Sequence, residues 1–222
     1  MSAPQQREDM DERQRIARFD DMYREAAGDP DKVPWHRLRT RQEVAHWLAR
    51  ERPDGRGRTA LVVGCGLGDD AAALAEAGFA VTAFDLSETA VAWAAERHNG
   101  PVAAGRITFV AADLTAPPAA WAGAFDLVLE VYTLQAMPAG LRAEAFAVLP
   151  TLVRPGGHLL LICSGRAPGE AEHDGPPWPL LRTDLAPLTA GGLVEERFEE
   201  ITYTFNDQPR RMFRVLYGRP AA

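Results

Sequence analysis

The sequence has few cysteines, no long apolar run and a deficit of positive charge. Two cysteines in 222 residues cannot make a disulfide framework, so the chain is predicted to work in a reducing compartment. No apolar run is long enough to cross a membrane, and the polar residues 5–9 lack the apolar core of a signal peptide. The 24 Lys and Arg residues against 31 Asp and Glu residues give a net charge of −7, which disfavours a surface built to hold nucleic acid. We therefore expect a cytoplasmic protein without a nucleic-acid or membrane partner.

The sequence does contain a glycine-rich turn between an apolar segment and an alanine-rich one. Residues 60–63 are apolar and lead into Gly64, Gly66 and Gly68, and the alanine-rich residues 71–77 follow. Glycines accept positive φ and have no side chain, so a ligand can lie against their backbone. The N-terminus of the following helix then points free N–H groups at that ligand. The pattern predicts a cradle for part of a nucleotide.

The residues after the glycines indicate which nucleotide is bound. Asp85 ends the next apolar run, 79–84, about twenty residues past the first glycine, where a second parallel strand brings a carboxylate to ribose hydroxyls. A dinucleotide fingerprint has its third glycine at the position of Asp69, and Asp70 follows. Two carboxylates are unfavourable beside a pyrophosphate but favourable beside an ammonium and a sulfonium. S-adenosylmethionine (SAM) therefore fits this turn better than NAD.

An N-terminal extension precedes the glycine turn. Residues 11–27 carry apolar side chains at helical spacing, a second helix is predicted to follow, and residues 53–57 form a Pro- and Gly-containing linker. The sequence thus predicts an extension at 1–57 and a ligand-binding domain at 58–222. The apolar stripe of the first helix can pack on the core, and the same helix can serve as a lid over the ligand site.

Strands and helices alternate along the rest of the chain. The predicted strands are 60–63, 80–84, 107–110, 125–131 and 158–163, and the predicted helices are 71–77, 88–98, 141–149 and 183–188. This alternation predicts right-handed βαβ units and a doubly wound parallel sheet with helices on both faces. Residues 195–205 and 212–217 are predicted to form an antiparallel hairpin at one edge of that sheet, because the connection between them is short and turn-forming.

Five motifs, in order and at the right spacing, resemble those of class I SAM-dependent methyltransferases. They are Gly-Cys-Gly-Leu-Gly at 64–68, Phe-Asp-Leu-Ser at 84–87, Ala-Asp-Leu at 112–114, Phe-Asp-Leu-Val-Leu-Glu at 125–130 and Pro-Gly-Gly at 155–157. The resemblance implies an α/β fold with a Rossmann-like, doubly wound seven-stranded sheet, mostly parallel with an antiparallel C-terminal strand. It also implies SAM as the cofactor and S-adenosylhomocysteine (SAH) as the product.

The same resemblance implies a set of cofactor-binding residues, position by position. They are Gly64, Cys65, Gly66, Gly68, Asp70, Asp85, Leu86, Asp113, Leu114 and Glu130. Asp85 would bind the ribose hydroxyls, and Leu86 would pack on the adenine. Asp113 would contact the adenine amino group beside the backbone of Leu114, although a lone aspartate in a loop also commonly caps a turn. Glu130 would lie where cofactor and acceptor meet.

The flanking segments resemble the thiopurine and halide/thiol S-methyltransferase branch of these enzymes. Val-Pro-Trp at 33–35 precedes the domain, and Gly-Pro-Pro-Trp at 175–178 follows the fifth strand. This branch implies a roof over the active site, made from the N-terminal extension and the Pro-Pro-aromatic loop. One departure is Val62, where many class I members carry an acidic residue. The ammonium of the cofactor then needs another carboxylate, for which Asp70 is the candidate.

The expected acceptor is a small molecule. The candidate acceptor-binding residues are Tyr23, Trp35, Tyr132, Gln135 and Trp178. Trp35, Tyr132 and Trp178 could also be ordinary packing residues. Their Pro neighbours in loops favour Trp35 and Trp178 as roof residues, and the end of a strand favours Tyr132 facing the crevice. Only Tyr132 and His173 stand as candidates for proton removal. The other histidines lack metal-ligand spacing, so no metal is expected.

The lack of a convincing base favours sulfur or another soft nucleophile as the acceptor atom. A thiol needs only a modest local shift to become a thiolate, whereas a hydroxyl needs a positioned base. A small-molecule O- or N-methyltransferase and a non-catalytic SAM-binding protein are the alternatives. Either a monomer or a homodimer is compatible with the sequence.

Overall fold

Strands and helices alternate along the chain in the computed structural model, which describes residues 12–36, 40–171, 175–205 and 207–221. The strands are β1 (Thr59–Val63), β2 (Ala80–Asp85), β3 (Ile107–Ala111), β4 (Phe125–Val131), β5 (Val153–Gly165), β6 (Val194–Phe205) and β7 (Gln208–Gly218). The α-helices are α1 (Glu12–Ala26), α2 (Thr40–Glu51), α3 (Asp69–Glu76), α4 (Glu88–Arg97), α5 (Asn99–Ala103), α6 (Ala139–Leu152) and α7 (Ala186–Ala190). Each strand and helix predicted from the sequence has its counterpart among these elements.

The seven strands form one sheet in the order β3-β2-β1-β4-β5-β7-β6. Strands β1 to β5 are parallel, and β7 runs antiparallel to both β5 and β6. The predicted fold and the predicted C-terminal hairpin are therefore confirmed. Val63 at the end of β1 is level with Phe84 of β2 on one side and with Glu130 of β4 on the other. The strand order reverses at β1, so these ends form the crevice in which open α/β sheets hold their ligands.

Apolar side chains alternate between two cores on the two faces of the sheet. In β1, Leu61 and Val63 face the core that contains the buried side of α6, whereas Ala60 and Val62 face the core under α2 and α3. Both faces of the strand are buried, which explains why the sequence shows a continuous apolar run rather than an alternating one.

Polar contacts of both its helices attach the N-terminal extension to the domain. Asp20 of α1 accepts hydrogen bonds from the Ser87 hydroxyl at 2.7 Å and from the Thr89 N–H at 3.1 Å, so α1 helps to cap the N-terminus of α4. Glu43 of α2 forms a buried ion pair with Arg214 of β7 at 3.0 Å. None of the helices in the described ranges is long and apolar enough to span a membrane.

Three local details differ from the sequence-based prediction. The sequence predicts a helix at 88–98, with a break at the Asn-Gly-Pro that follows. A second helix, α5, begins at Asn99 instead. Its Pro101 lies in the first turn, where proline is tolerated. Strand β5 begins before the Pro-Gly-Gly motif, since Val153 already pairs with Phe125. The helix predicted at 183–188 is divided into a 3₁₀ turn, Arg182–Leu185, and α7.

Candidate functional site

The glycine turn lies at the carboxyl end of β1. Gly64, Gly66 and Gly68 have φ values of 58°, 50° and 81°, which residues with side chains rarely adopt. A Cβ atom on Gly64 would lie 2.2 Å from the Thr133 hydroxyl oxygen, and one on Gly68 would lie 2.7 Å from the Phe109 ring. Backbone conformation and close packing both require glycine at these positions.

Asp85 at the end of β2 lies against this turn. Its Oδ2 accepts a hydrogen bond from the Gly66 N–H at 2.9 Å, and its Oδ1 accepts one from the Ser87 N–H at 3.0 Å. Burial raises the pKa of Asp85, while these backbone donors act in the opposite direction. The structure thus places the carboxylate predicted to bind ribose directly beside the turn predicted to hold the methionine part of the cofactor.

Tyr23 of α1 and Trp35 of the following loop cover the glycine turn. Trp35 Nε1 donates a hydrogen bond to the Tyr23 hydroxyl at 3.0 Å, and the two rings meet edge to face with centroids 5.4 Å apart. A Cβ on Gly66 would lie 3.1 Å from that hydroxyl. Burial, followed by the charge of Asp85, raises the pKa of Tyr23 well above its ordinary value. The extension therefore brings two of the predicted acceptor-binding residues to the turn.

Asp69 at the start of α3 has cationic partners from within the protein. One carboxylate oxygen lies 3.1 Å from Arg97 Nη2 and 3.7 Å from His98 Nε2, and the other lies 3.8 Å from His36 Nδ1. The sequence argument counted Asp69 as a negative charge available to a cationic ligand. That count is corrected, because the charge of Asp69 is already balanced by Arg97.

Asp70, the second residue of α3, acts through its charge on the thiol of Cys65 in the glycine turn. The pKa of the Cys65 thiol is raised well above its ordinary value by burial, then by the charges of Asp85 and Asp70. A thiol that keeps its proton is a poor nucleophile, so Cys65 serves as a small residue of the turn. Asp70, which is half-buried, stays the predicted partner of the cofactor ammonium.

The residues predicted to hold adenine lie beyond β2 and β3. Asp113 Oδ1 accepts hydrogen bonds from the Thr115 N–H at 2.8 Å and from the Thr115 hydroxyl at 2.9 Å. This carboxylate therefore shapes a turn, as the alternative interpretation had it. Leu114 is buried in the core, and Leu86 is half-buried. Contact of these residues with adenine stays a prediction.

Glu130 lies inside the protein rather than in the crevice. It is fully buried, and its Oε1 accepts hydrogen bonds from the N–H groups of Thr133 at 2.8 Å and Leu134 at 2.9 Å. Burial raises its pKa to about 7, against the effect of these two donors. The sequence placed Glu130 where cofactor and acceptor meet. Its carboxyl supports the turn that follows β4, and contact with either ligand stays a prediction.

Gln135 connects that turn to β5 and to the loop that carries Trp178. Its side-chain oxygen accepts a hydrogen bond from the Ser164 N–H. Its main-chain carbonyl accepts one from the Trp178 N–H at 2.7 Å. Gln135 is only 3% exposed. Its amide oxygen therefore already has a partner in the protein, and its main chain holds Trp178. Contact of Gln135 or Trp178 with the acceptor stays a prediction.

Tyr132 directly follows β4 with φ at +60°, and its hydroxyl donates to Met212 Sδ at 3.3 Å. Burial, followed by the neighbouring Tyr203, raises the pKa of Tyr132. The hydroxyl therefore keeps its proton at neutral pH and is suited to donate a hydrogen bond. The other candidate for proton removal, His173, lies outside the described residues.

Sequence reasoning missed Thr133. Its hydroxyl donates to the Val63 carbonyl at 3.2 Å and fills the space beside Gly64. No pattern in the sequence marks this threonine, because its contact depends on β4 lying next to β1 in the sheet. Within the described ranges, no group of three or more His, Cys, Asp or Glu side chains is placed to hold a metal ion.

This arrangement of turn, carboxylate and aromatic cover agrees with one known family. The family profile for thiopurine S-methyltransferase matches residues 25–215. The chain belongs to the thiopurine S-methyltransferase family. The match includes residues 25–57 of the extension and most of the sheet, and it confirms the predicted branch. It also confirms the prediction that the protein is a SAM-dependent methyltransferase.

Individual relatives and solved structures agree with this assignment. The probable thiol methyltransferase 2 of Arabidopsis thaliana is 27% identical over 185 residues, which cover 82% of this chain and 76% of that protein. Thiocyanate methyltransferase 1 of Brassica oleracea is 32% identical over 148 residues, which cover 65% of this chain and 61% of that protein. The crystal structure of magnesium protoporphyrin IX methyltransferase from Synechocystis PCC 6803 with bound SAM has a TM-score of 0.69 at 20% identity, over 99% of this chain and all of that one. This last likeness shows the fold.

Proposed function

We propose that this enzyme transfers the methyl group of SAM to a small-molecule thiol or another soft nucleophile. The observation that carries the proposal concerns three side chains: Tyr23 and Cys65 at the glycine turn, and Tyr132 directly after β4. Burial raises the pKa of each, so they keep their protons at neutral pH and are poor bases. A phenol or alcohol acceptor would need a base, whereas a thiol with an ordinary pKa of about 8.5 readily supplies a thiolate.

The described residues fit SAM as the cofactor. The glycine turn is a cradle that a Cβ atom at Gly64 or Gly68 would fill, and Asp85 beside it has the position of a ribose partner. The rings of Tyr23 and Trp35 suit a positively charged ligand, because aromatic faces attract cations. When bound, SAM supplies an electrophilic methyl group on its sulfonium; the protein supplies binding, orientation and exclusion of water.

Two segments close over the crevice in this proposal. Residues 1–57 act as a lid on the domain at 58–222, with Tyr23 and Trp35 over the glycine turn. Trp178 is held by Gln135 near the end of β5 and forms the rest of the roof. Most of the acceleration then comes from holding the acceptor at the methyl group in a site shielded from water.

The relatives support the choice of sulfur as the acceptor atom. The two proteins are named for a thiol and for thiocyanate, and both of these acceptors offer a soft sulfur nucleophile. Their names describe their own acceptors; for this chain they support a class and not one compound.

The test is methyl transfer from SAM with a labelled methyl group to a panel of thiols, thiocyanate, phenols and amines. We expect label in the sulfur acceptors, above the level of a reaction with heat-inactivated protein. Transfer to phenols or amines alone would establish the O- or N-methyltransferase alternative. Binding of SAM without transfer to the panel or to any component of a cell extract would indicate a non-catalytic SAM-binding protein.

We further propose that the enzyme works in the cytoplasm, as a monomer or homodimer, without a nucleic-acid or membrane partner. Both cysteines are free thiols, as expected in a reducing compartment. The net charge of −7 is unsuited to holding nucleic acid.

A further inference from the structure

The turn that follows β4 contacts three parts of the site. This post-β4 turn consists of residues 133–135. Thr133 is bonded to the Val63 carbonyl under the glycine turn at 3.2 Å. Gln135 accepts hydrogen bonds from Ser164 of β5 and from Trp178 of the roof. A shift of this turn would therefore move the glycine turn and the roof relative to each other.

A single carboxyl group holds the post-β4 turn from inside the protein. Glu130 Oε1 accepts two backbone hydrogen bonds, from Thr133 and Leu134, while its buried Oε2 has no hydrogen-bond partner. Glu130 is level with Val63 of β1 and Leu161 of β5, neither of which carries a charge. A buried carboxyl oxygen without a partner is costly and calls for a functional reason.

We propose that Glu130 is a positioning residue that fixes the post-β4 turn, and that the turn is held more firmly when this carboxyl is protonated than when it is ionised. The proposal rests on the proposed function, because it concerns the closure of the same acceptor site. An ionised carboxyl accepts stronger hydrogen bonds than a neutral one. Its buried Oε2 has no partner, however, so the ionised group gains more when the turn opens and water reaches it. Protonation removes this cost and favours the closed turn.

Both states of the carboxyl exist near neutral pH. Burial raises the pKa of Glu130 to about 7, so the ionised fraction grows from a minority at pH 6 to a majority at pH 8. The titratable group that interacts with it from β5 is the Cys163 thiol, whose pKa is itself raised by burial and then by the charge of Glu130. Cys163 keeps its proton over this range and does not titrate with Glu130. Because the pKa is raised above that of a free carboxyl, we expect a firmer site below pH 7 than above it.

Hydrogen–deuterium exchange of the peptide that contains residues 133–135 tests the proposal without any methyl transfer. After correction for intrinsic exchange rates, protection in the wild type should be roughly fivefold greater at pH 6 than at pH 8. Glu130→Gln keeps the shape and one acceptor oxygen but carries no charge, so its protection should be the same at both pH values and close to that of the wild type at pH 6. Asp126→Asn is the matched control, an acid-to-amide change on the same strand at a carboxylate bound to Thr59 and Arg154; it should leave the pH dependence intact.

Equal protection of the wild-type peptide at pH 6 and pH 8 would overturn the proposal, even if Glu130→Gln did not fold. A difference that persists in a folded Glu130→Gln variant would overturn it as well.

The pH profile of kcat/KM for thiocyanate, which does not titrate near neutral pH, links the turn to function. We expect an inflection near pH 7 in the wild type that is absent from Glu130→Gln. If thiocyanate and every thiol fail as acceptors, the proposed function is wrong, while the exchange result still decides the role of Glu130. An identical inflection in both proteins would contradict a functional effect of this residue.

Discussion

Replacement of Arg214 by methionine tests how firmly the N-terminal extension is attached to the sheet. Arg214 Nη1 lies 3.0 Å from Glu43 of α2, and its Nε lies 2.8 Å from Glu199 of β6. The side chains of Arg214 and Glu43 are only 9% and 7% exposed. Methionine fills much of the same volume but leaves Glu43 as a buried carboxylate, with the exposed His46 imidazole 3.9 Å away.

The expected loss of stability follows from this burial. Removal of one partner of a buried ion pair costs about 3–5 kcal/mol, because the other charge is left uncompensated. In a chain of this length each kcal/mol lowers Tm by about 2–4 °C, so Arg214→Met should melt roughly 6–20 °C below the wild type. Glu199 contributes less to this loss, because it keeps Arg50 as a partner at 2.6 Å.

Arg197→Met is the matched control. Arg197 of β6 also binds α2, through Glu51, but these side chains are 42% and 26% exposed. Exposed ion pairs are worth about 0–1 kcal/mol, so this variant should melt within a few degrees of the wild type.

Thermal unfolding followed by circular dichroism separates the two variants. In the double variant Glu43→Gln/Arg214→Met the buried charge is gone, so part of the lost stability should return. The reasoning is refuted if Arg214→Met is no less stable than Arg197→Met. It is also refuted if the double variant is less stable than Arg214→Met alone, since the penalty would then not come from the unpaired carboxylate.

Two further substitutions test the cofactor site itself. Asp85→Asn keeps the shape of the side chain but removes its charge. It should weaken SAH binding, measured by calorimetry, by about 1–3 kcal/mol, which is the range for a hydrogen bond to a charged group. Unchanged affinity would mean that Asp85 does not hold the ribose. Gly64→Ala places a Cβ 2.2 Å from the Thr133 oxygen at a φ of 58°, and should cost about 1–3 kcal/mol or more in denaturant unfolding. Gly100→Ala, with no atom within 4 Å of the added Cβ, is its control and should unfold like the wild type.

The order of strands and helices was predictable because burial leaves a direct pattern in the sequence. Residues 60–63 are apolar without interruption because both faces of β1 are covered. Proline and glycine mark boundaries less clearly. The Asn-Gly-Pro at 99–101 can end one helix or begin the next, and the structure has both events side by side, with His98 between α4 and α5.

The partners of charged residues could not be predicted in the same way. Asp69 and Asp70 are adjacent in sequence, and together they favoured a cationic ligand over a pyrophosphate. Asp69 is paired with Arg97, which comes from the far end of α4, and it also lies near His36 from the extension. Such pairing depends on the packing of three separate elements. Asp69 therefore does not support the preference for a cationic ligand.

Glu130 shows why a motif can locate a functional position without defining what the residue does there. An acid at the end of a buried strand can point at a ligand or can accept hydrogen bonds from the backbone of the turn that follows. Both uses need the same residue type at the same place, so the sequence cannot distinguish them. The two hydrogen bonds from Thr133 and Leu134 show the second use, and the first stays a prediction. Since that turn contacts both the glycine turn and the roof, an acid at this position can affect methyl transfer without touching either reactant.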